Sequence, residues 1–146
     1  MTVILCQTEF SPYAELDAYQ QQATDEKAGR YGATSVFVGT MRSLNQGDEV
    51  TQMELEYYPG MTERRLEQIV ADAQNRWELL DVLVIHRVGE VKPNAPIVLV
   101  AVWTEHRGAA FEACRHIIEA LKHTAPFWKK ETISNGERWV KGNTKA

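Results

Sequence analysis

Alternation and helical spacing of apolar residues divide the chain into short strands and two well-marked helices. Residues 3–6 form a short apolar run of the kind found in an edge strand. Residues 12–22 allow a helix with Leu16 and Tyr19 inward, although the period is weak. Residues 33–39 (ATSVFVG), small and β-branched, predict a buried strand. Residues 43–48 (SLNQGD) have the composition of a turn or mobile loop. Residues 50–58 alternate, with Met53, Leu55 and Tyr57 on one face and Glu54 and Glu56 on the other, and Pro59-Gly60 ends that strand.

Thr62 is a candidate cap for a helix reaching about Trp77. Its Leu66, Ile69, Val70, Ala73 and Trp77 fall on one face. Residues 82–88 and 97–104 are nearly continuous apolar runs, which predicts two strands in mid-sheet joined by the turn at 92–96. A last helix from about Gly108 to before Pro126 carries a stripe of Ala110, Phe111, Cys114, Ile117, Ile118 and Leu121. A short strand at 138–140 and a frayed tail, KGNTKA, complete the pattern. Strands interleaved with helices in this order predict α+β architecture: a mostly antiparallel sheet with helices packed on it. The 146 residues suffice for one domain spanning 1–146, with room for a small α+β subdomain.

Composition narrows the function classes. No apolar stretch approaches the roughly 20 residues of a membrane span, and the N-terminus has no basic leader, so a cytoplasmic protein is expected. Cys6 and Cys114 are too few and too far apart for a disulfide framework or metal knuckle, and the histidines show no ligand spacing; neither metal nor cofactor is expected. The net charge of −4 is uneven: residues 1–105 hold 8 Lys/Arg against 16 Asp/Glu, and residues 106–146 hold 8 against 4. A basic last third on an acidic body argues against nucleic-acid binding and for a local pocket for a small anion or an acidic tail.

Four segments supply that pocket. Lys122 lies just beyond the apolar border of the last helix, where partial desolvation lowers its pKa and suits it to proton transfer or nucleophilic attack. A lysine whose stem merely covers the stripe has the same spacing. Pro126 stops the helix, so the chain folds back and brings Lys129 of the Phe127-Trp128-Lys129-Lys130-Glu131 run toward Lys122. His106 and Arg107 stand where a strand gives way to a helix, a common place for anion binding. Thr40, Met41 and Arg42 close another strand, with Arg42 placed to join the pocket. His86 reads as a hydrogen-bonded core residue and Cys114 as core.

The segments VFVGTMR (36–42), LEYYPGMTE (55–63), VIHRVGE (84–90), EHRGAAFEA (105–113), LKHTAPFWKKE (121–131) and ERWV (137–140) together resemble the large, catalytic subunit of molybdopterin synthase, in order and spacing, from Gly32 to Val140. The resemblance implies an α/β-hammerhead fold and a sulfurtransferase that installs a dithiolene on cyclic pyranopterin monophosphate (precursor Z). It implies that sulfur arrives as a thiocarboxylate on the C-terminal Gly-Gly of a small ubiquitin-like partner, in a heterotetramer built on a homodimer of large subunits. It assigns Lys122 and Lys129 to catalysis, and Thr40, Met41, Arg42, His106, Arg107, Lys130 and Glu131, with the two lysines, to substrate binding. The family can have lysine where this chain has Thr40, which puts more weight on Arg42 and Arg107. The residues alone leave two other readings open: a non-catalytic module that receives a glycine-ended ubiquitin-like tail, and an unrelated phosphoester enzyme with His106 as base.

Overall fold

Two sheets share one apolar core, and the seam between them creates the site described below. The structure is a computed structural model that describes residues 1–22 and 27–140. In chain order it contains β1 (Thr2–Cys6), α1 (Pro12–Gln22), β2 (Ala33–Thr40), β3 (Leu44–Asn45), β4 (Asp48–Tyr57) and α2 (Met61–Arg76). Then follow β5 (Asp81–Arg87), β6 (Gly89–Val91), β7 (Pro96–Thr104), α3 (Arg107–Thr124), β8 (Phe127–Ile133) and β9 (Gly136–Trp139). The first sheet has the order β1-β5-β7-β2; the second runs β3-β4-β8-β9, with β6 also paired to β4. Every ladder is antiparallel except β1 with β5, so the α+β expectation holds with one parallel edge.

The central strands β5 and β7 are apolar throughout because both faces are covered. Val82, Val84, Val98 and Val100 face a cluster built from the α2 stripe (Leu66, Ile69, Val70, Ala73) and the α3 stripe (Ala113, Cys114, Ile117, Ile118, Leu121). Leu83, Ile85, Leu99 and Trp103 face the other way, toward Phe10 and the α1 residues Leu16 and Tyr19. Met41, Met53, Leu55 and Val91 join the first cluster, so one core fastens the second sheet to the first. Each fully buried Leu or Val contributes roughly 1.5–3 kcal/mol.

Several expectations are corrected. β2 is an edge strand, paired only with β7, and Val36 stays 38% exposed; an apolar run reads alike whether its outer face is covered or waiting for a neighbour. Of the two readings of residues 43–48, the turn is the one that holds: they form a tight hairpin between β3 and β4, with Gln46 (φ 53°) and Gly47 (φ 81°) supplying its two left-handed positions. Thr62 does not cap α2. Its buried hydroxyl accepts from the Tyr58 N–H (3.0 Å) and donates to the Pro126 carbonyl (3.2 Å), while Gly60 takes the cap position and donates to Glu63 (2.6 Å). The link between β5 and β7 includes β6, which crosses to the second sheet. Phe111 is 65% exposed, and Ala113 fills its expected place in the buried stripe. Residues 127–133 form a full strand, and the final strand begins at Gly136, earlier than expected. The tail from residue 141 lies outside the described residues. Among the described residues, no helix is long and apolar enough to cross a membrane.

Gly32 leads into β2 and donates its N–H to the Thr104 carbonyl at 3.0 Å. A Cβ at this position would collide with the Glu105 carbonyl oxygen, a backbone atom that cannot swing aside. Gly32→Ala is therefore expected to destabilise the fold by roughly 1–3 kcal/mol in chemical denaturation. An unchanged midpoint would contradict this close approach.

Candidate functional site

Only Ala125 and Pro126 separate α3 from β8. The Ala125 N–H closes the last helical turn on the Leu121 carbonyl (3.1 Å), and Pro126, with no N–H to offer, ends it. β8 then runs antiparallel to β4, placing Lys129 opposite Leu55 and Glu131 opposite Met53. Leu55 and Met53 are buried, so this register turns Lys129 and Glu131 inward, toward the last turn of α3 that carries Lys122.

A cleft of about 150 Å³ opens there. Lys122, Lys129 and Arg42 are its cations; Met53 and Ile97 contribute apolar surface. Thr40, Met41, Leu44, Asn45, Glu131 and Val140 complete the lining. Met41 is held on both sides of its backbone, its N–H donating to the Ala95 carbonyl (3.0 Å) and its carbonyl accepting from the Asn94 N–H (2.9 Å). Those two bonds fix where Arg42 leaves the sheet.

Burial lowers the pKa of Lys122 below the ordinary lysine value. Lys129 is lowered to about 8, first by burial, then by the charge of Lys122 and the more weakly felt charge of Arg42, with Glu131 opposing. Both lysines are thus held nearer neutrality than free lysine, and neither ammonium has a hydrogen bond or ion pair to protein among the described residues. Beside them His86 is 3% exposed, stacked on Phe127 with ring centres 3.9 Å apart and planes 12° apart. Burial, reinforced by the charges of Lys122 and Lys129, lowers its pKa to about 3 and keeps the ring neutral.

Glu131 lines the cleft, but its carboxylate is already engaged. It accepts from Asn45 Nδ2 through both oxygens (2.9 and 3.1 Å) and from Arg138 Nε (3.2 Å). Arg138 also reaches Asp48 (2.7 Å) and the Asn45 carbonyl (2.9 Å). The network holds the β3–β4 hairpin against β8 and β9, so Glu131 shapes the cleft wall. Asn45 and Arg138 were not legible as site residues: one sits in a turn-like segment, the other in a short strand, and only the register brings them to Glu131.

Thr40, Met41, Arg42, Lys122, Lys129 and Glu131 therefore share one cleft. Lys130 does not join them: alternation along β8 puts it on the outer face, over the Trp139 ring (5.5 Å) and 3.7 Å from Glu137. His106 and Arg107 are exposed at the opposite end of α3. At 1.5 Å per residue, Arg107 stands roughly 22 Å along the helix from Lys122. Among the described residues, the His106 ring has Glu105 as its ion-pair neighbour, at 3.5 Å.

The family model described as "MoaE protein" matches residues 11–124. The chain belongs to the MoaE family. Its relatives include the molybdopterin synthase catalytic subunit of Ralstonia nicotianae, 56% identical over 116 residues, covering 78% of this chain and 66% of that one. The catalytic subunit of Pseudomonas aeruginosa is 45% identical over 142 residues, covering 97% and 91%. Among solved structures, the complex of subunits 1 and 2 of the molybdopterin-converting factor from Helicobacter pylori matches with a TM-score of 0.78 at 25% identity, covering 95% of this chain and 90% of that chain. As a MoaE-family chain, the protein is a sulfur-transferring catalytic subunit of molybdopterin synthase.

The lysines of this MoaE-family cleft carry a stability consequence. Because folding lowers the pKa of Lys129 to about 8 from 10.5, the unfolded chain binds more protons between those values. The penalty for burying the ammonium is full below about pH 8 and fades as pH rises to 10.5. Lys129→Met is expected to be more stable than the parent at pH 7, by on the order of 1–3 kcal/mol, with the gap closing by pH 10.5. Denaturant titrations at the two pH values check this; equal stability at both would contradict it.

Proposed function

We propose that the cleft between α3 and β8 is where sulfur passes from the C-terminal Gly-Gly thiocarboxylate of a small ubiquitin-like partner to precursor Z, twice per molecule, giving the molybdopterin dithiolene in the cytoplasm. The observation that carries this reading is the pairing of Lys122 and Lys129, two desolvated lysines with no protein counter-ion among the described residues, in one narrow cleft. A thiocarboxylate tail and a cyclic phosphate are both anionic, and the cleft supplies cations without a competing free carboxylate. The two-subunit complex from Helicobacter pylori supports a partner of this kind.

In this reading Lys122, with its pKa lowered by burial, serves as acid and base, or in its neutral form attacks the thiocarboxylate carbon. In that attack the C–N bond forms as the C–S bond breaks and sulfur leaves as hydrosulfide for precursor Z, after which water cleaves the amide and frees the lysine and the tail's carboxylate. Lys129 holds the anionic tail while protonated, so tail affinity falls as pH rises through about 8. Arg42 binds the phosphate and steadies the oxyanion formed as the ring opens. Thr40 and Met41 shape the wall beside it.

His106 and Arg107 serve the reaction only if a second copy of the chain brings them to the cleft. The exposed face of the first half of α3, which carries Arg107 and Phe111, supports such a homodimer, since Phe111 lies 65% exposed upon it. Two copies laid antiparallel along this face would set Arg107 of one near Lys122 of the other.

The test is single-turnover dithiolene formation with thiocarboxylated partner. Lys122→Ala and Arg107→Ala should each lose activity by about a hundredfold or more. Mixing and re-annealing the two inactive variants should restore roughly a quarter of the parent rate, because each mixed dimer holds one intact site. Near-normal turnover by Lys122→Ala would sink the lysine assignment, and failure of the mixture to recover would remove Arg107 from the shared site.

A further inference from the structure

His86 is a buried residue that the account so far leaves without a task. Its ring is fixed from two sides: it stacks on Phe127, and its Nδ1 lies 2.7 Å from the Arg87 carbonyl. A carbonyl can only accept, so Nδ1 carries the proton and Nε2 of the neutral ring is a bare lone pair. Among the described residues Nε2 has no protein partner, yet no side-chain nitrogen or oxygen sealed from solvent is left unpartnered. Nε2 therefore opens onto space that a mobile donor can enter.

The donors at hand are lysine heads. Phe127 and Lys129 are two positions apart on β8 and share its inner face, so the ring lies beneath the strand that carries Lys129 and beside the helix end that carries Lys122. Of the two charges, that of Lys122 is felt more strongly by the ring. Lys122 Nζ has donors without protein acceptors, and His86 Nε2 is an acceptor without a donor.

We propose that His86 is a positioning residue for sulfur transfer, its Nε2 lone pair accepting a hydrogen bond from Lys122 Nζ and aiming that amine into the cleft. The inference rests on the assignment of Lys122 made above. A ring this far below its ordinary pKa stays neutral throughout the working range, so His86 orients the lysine and takes no proton from it. Burial lowers the pKa of Lys122, and the charged groups that share its cleft are Lys129 and Glu131 from β8 and Arg42 beyond β2.

Three measurements test it. In the unmodified chain, nitrogen-15 NMR of the imidazole should show the Nδ1–H tautomer for His86, unchanged between pH 6 and 9; an Nε2–H tautomer would overturn the proposal. In His86→Phe, which keeps a ring on Phe127, the pH midpoint for amine-selective labelling of Lys122, read by peptide mass spectrometry, should move down by about one unit, since the acceptor favours the ammonium. Single-turnover sulfur transfer by the complex should fall about tenfold with partner affinity unchanged, and His86→Gln, which restores an acceptor oxygen, should recover most of both losses. An unmoved labelling midpoint in folded His86→Phe would overturn the contact. Full activity of Lys122→Ala would defeat the parent assignment instead, and the labelling midpoint would still decide whether His86 holds Lys122.

Discussion

Desolvating two lysines at the seam between the sheets sets the terms for the rest of the molecule. Lys122 comes from a helix whose stripe is buried in the first sheet's core, and Lys129 from a strand whose register is locked by the second. Neither can retreat to water without undoing packing around Leu121, Leu55 or Met53. Burial lowers the pKa of both lysines, and the charge of Lys122 lowers that of Lys129 further, which is the property that the proposed sulfur transfer draws on. The same repulsion suits the cleft to the anionic tail and phosphate of the function proposed above.

Holding such a site open requires a wall that neither collapses onto the lysines nor neutralises them. Glu131 is the carboxylate beside Lys129, and left free it would form an ion pair there. Asn45 and Arg138 take up its oxygens instead, and in doing so pin the β3–β4 hairpin as the far wall. A potential quencher has become a brace. On the other flank, the backbone bonds between Met41 and the 94–95 turn fix the exit of Arg42.

Much of the frame was legible in the sequence because it rests on local pattern. The 3.6-residue spacing in 66–77 and the apolar runs at 82–88 and 97–104 map directly onto α2, β5 and β7. β8 escaped because its alternation pits Phe127, Lys129 and Glu131 against Trp128 and Lys130, and inward-facing charges break the apolar rule that marks a strand. Lys130 was grouped with Lys129 through the family resemblance, although adjacent strand residues face opposite ways. Lys122, Lys129 and Arg42 could be found from a helix border, a proline fold-back and a strand end. The separation of His106 and Arg107 from Lys122 was implicit in the helix predicted between them; whether another copy of the chain brings them to a cleft is a matter the sequence does not encode locally. Phe111 shows the related gap: its apolar character is plain in the sequence, but whether its own core or another surface covers it is a tertiary matter.

If shared desolvation is what makes the site, the free chain must show it before any partner or substrate binds. The direct measurement is a carbon-13 NMR titration of the lysine ε-methylenes in the isolated protein, with Lys129 assigned by substitution. Lys129 should titrate near about 8, and in a Lys122→Met background, with one neighbouring charge removed, its midpoint should rise. A Lys129 midpoint at the ordinary lysine value of 10.5, insensitive to Lys122, would contradict the account.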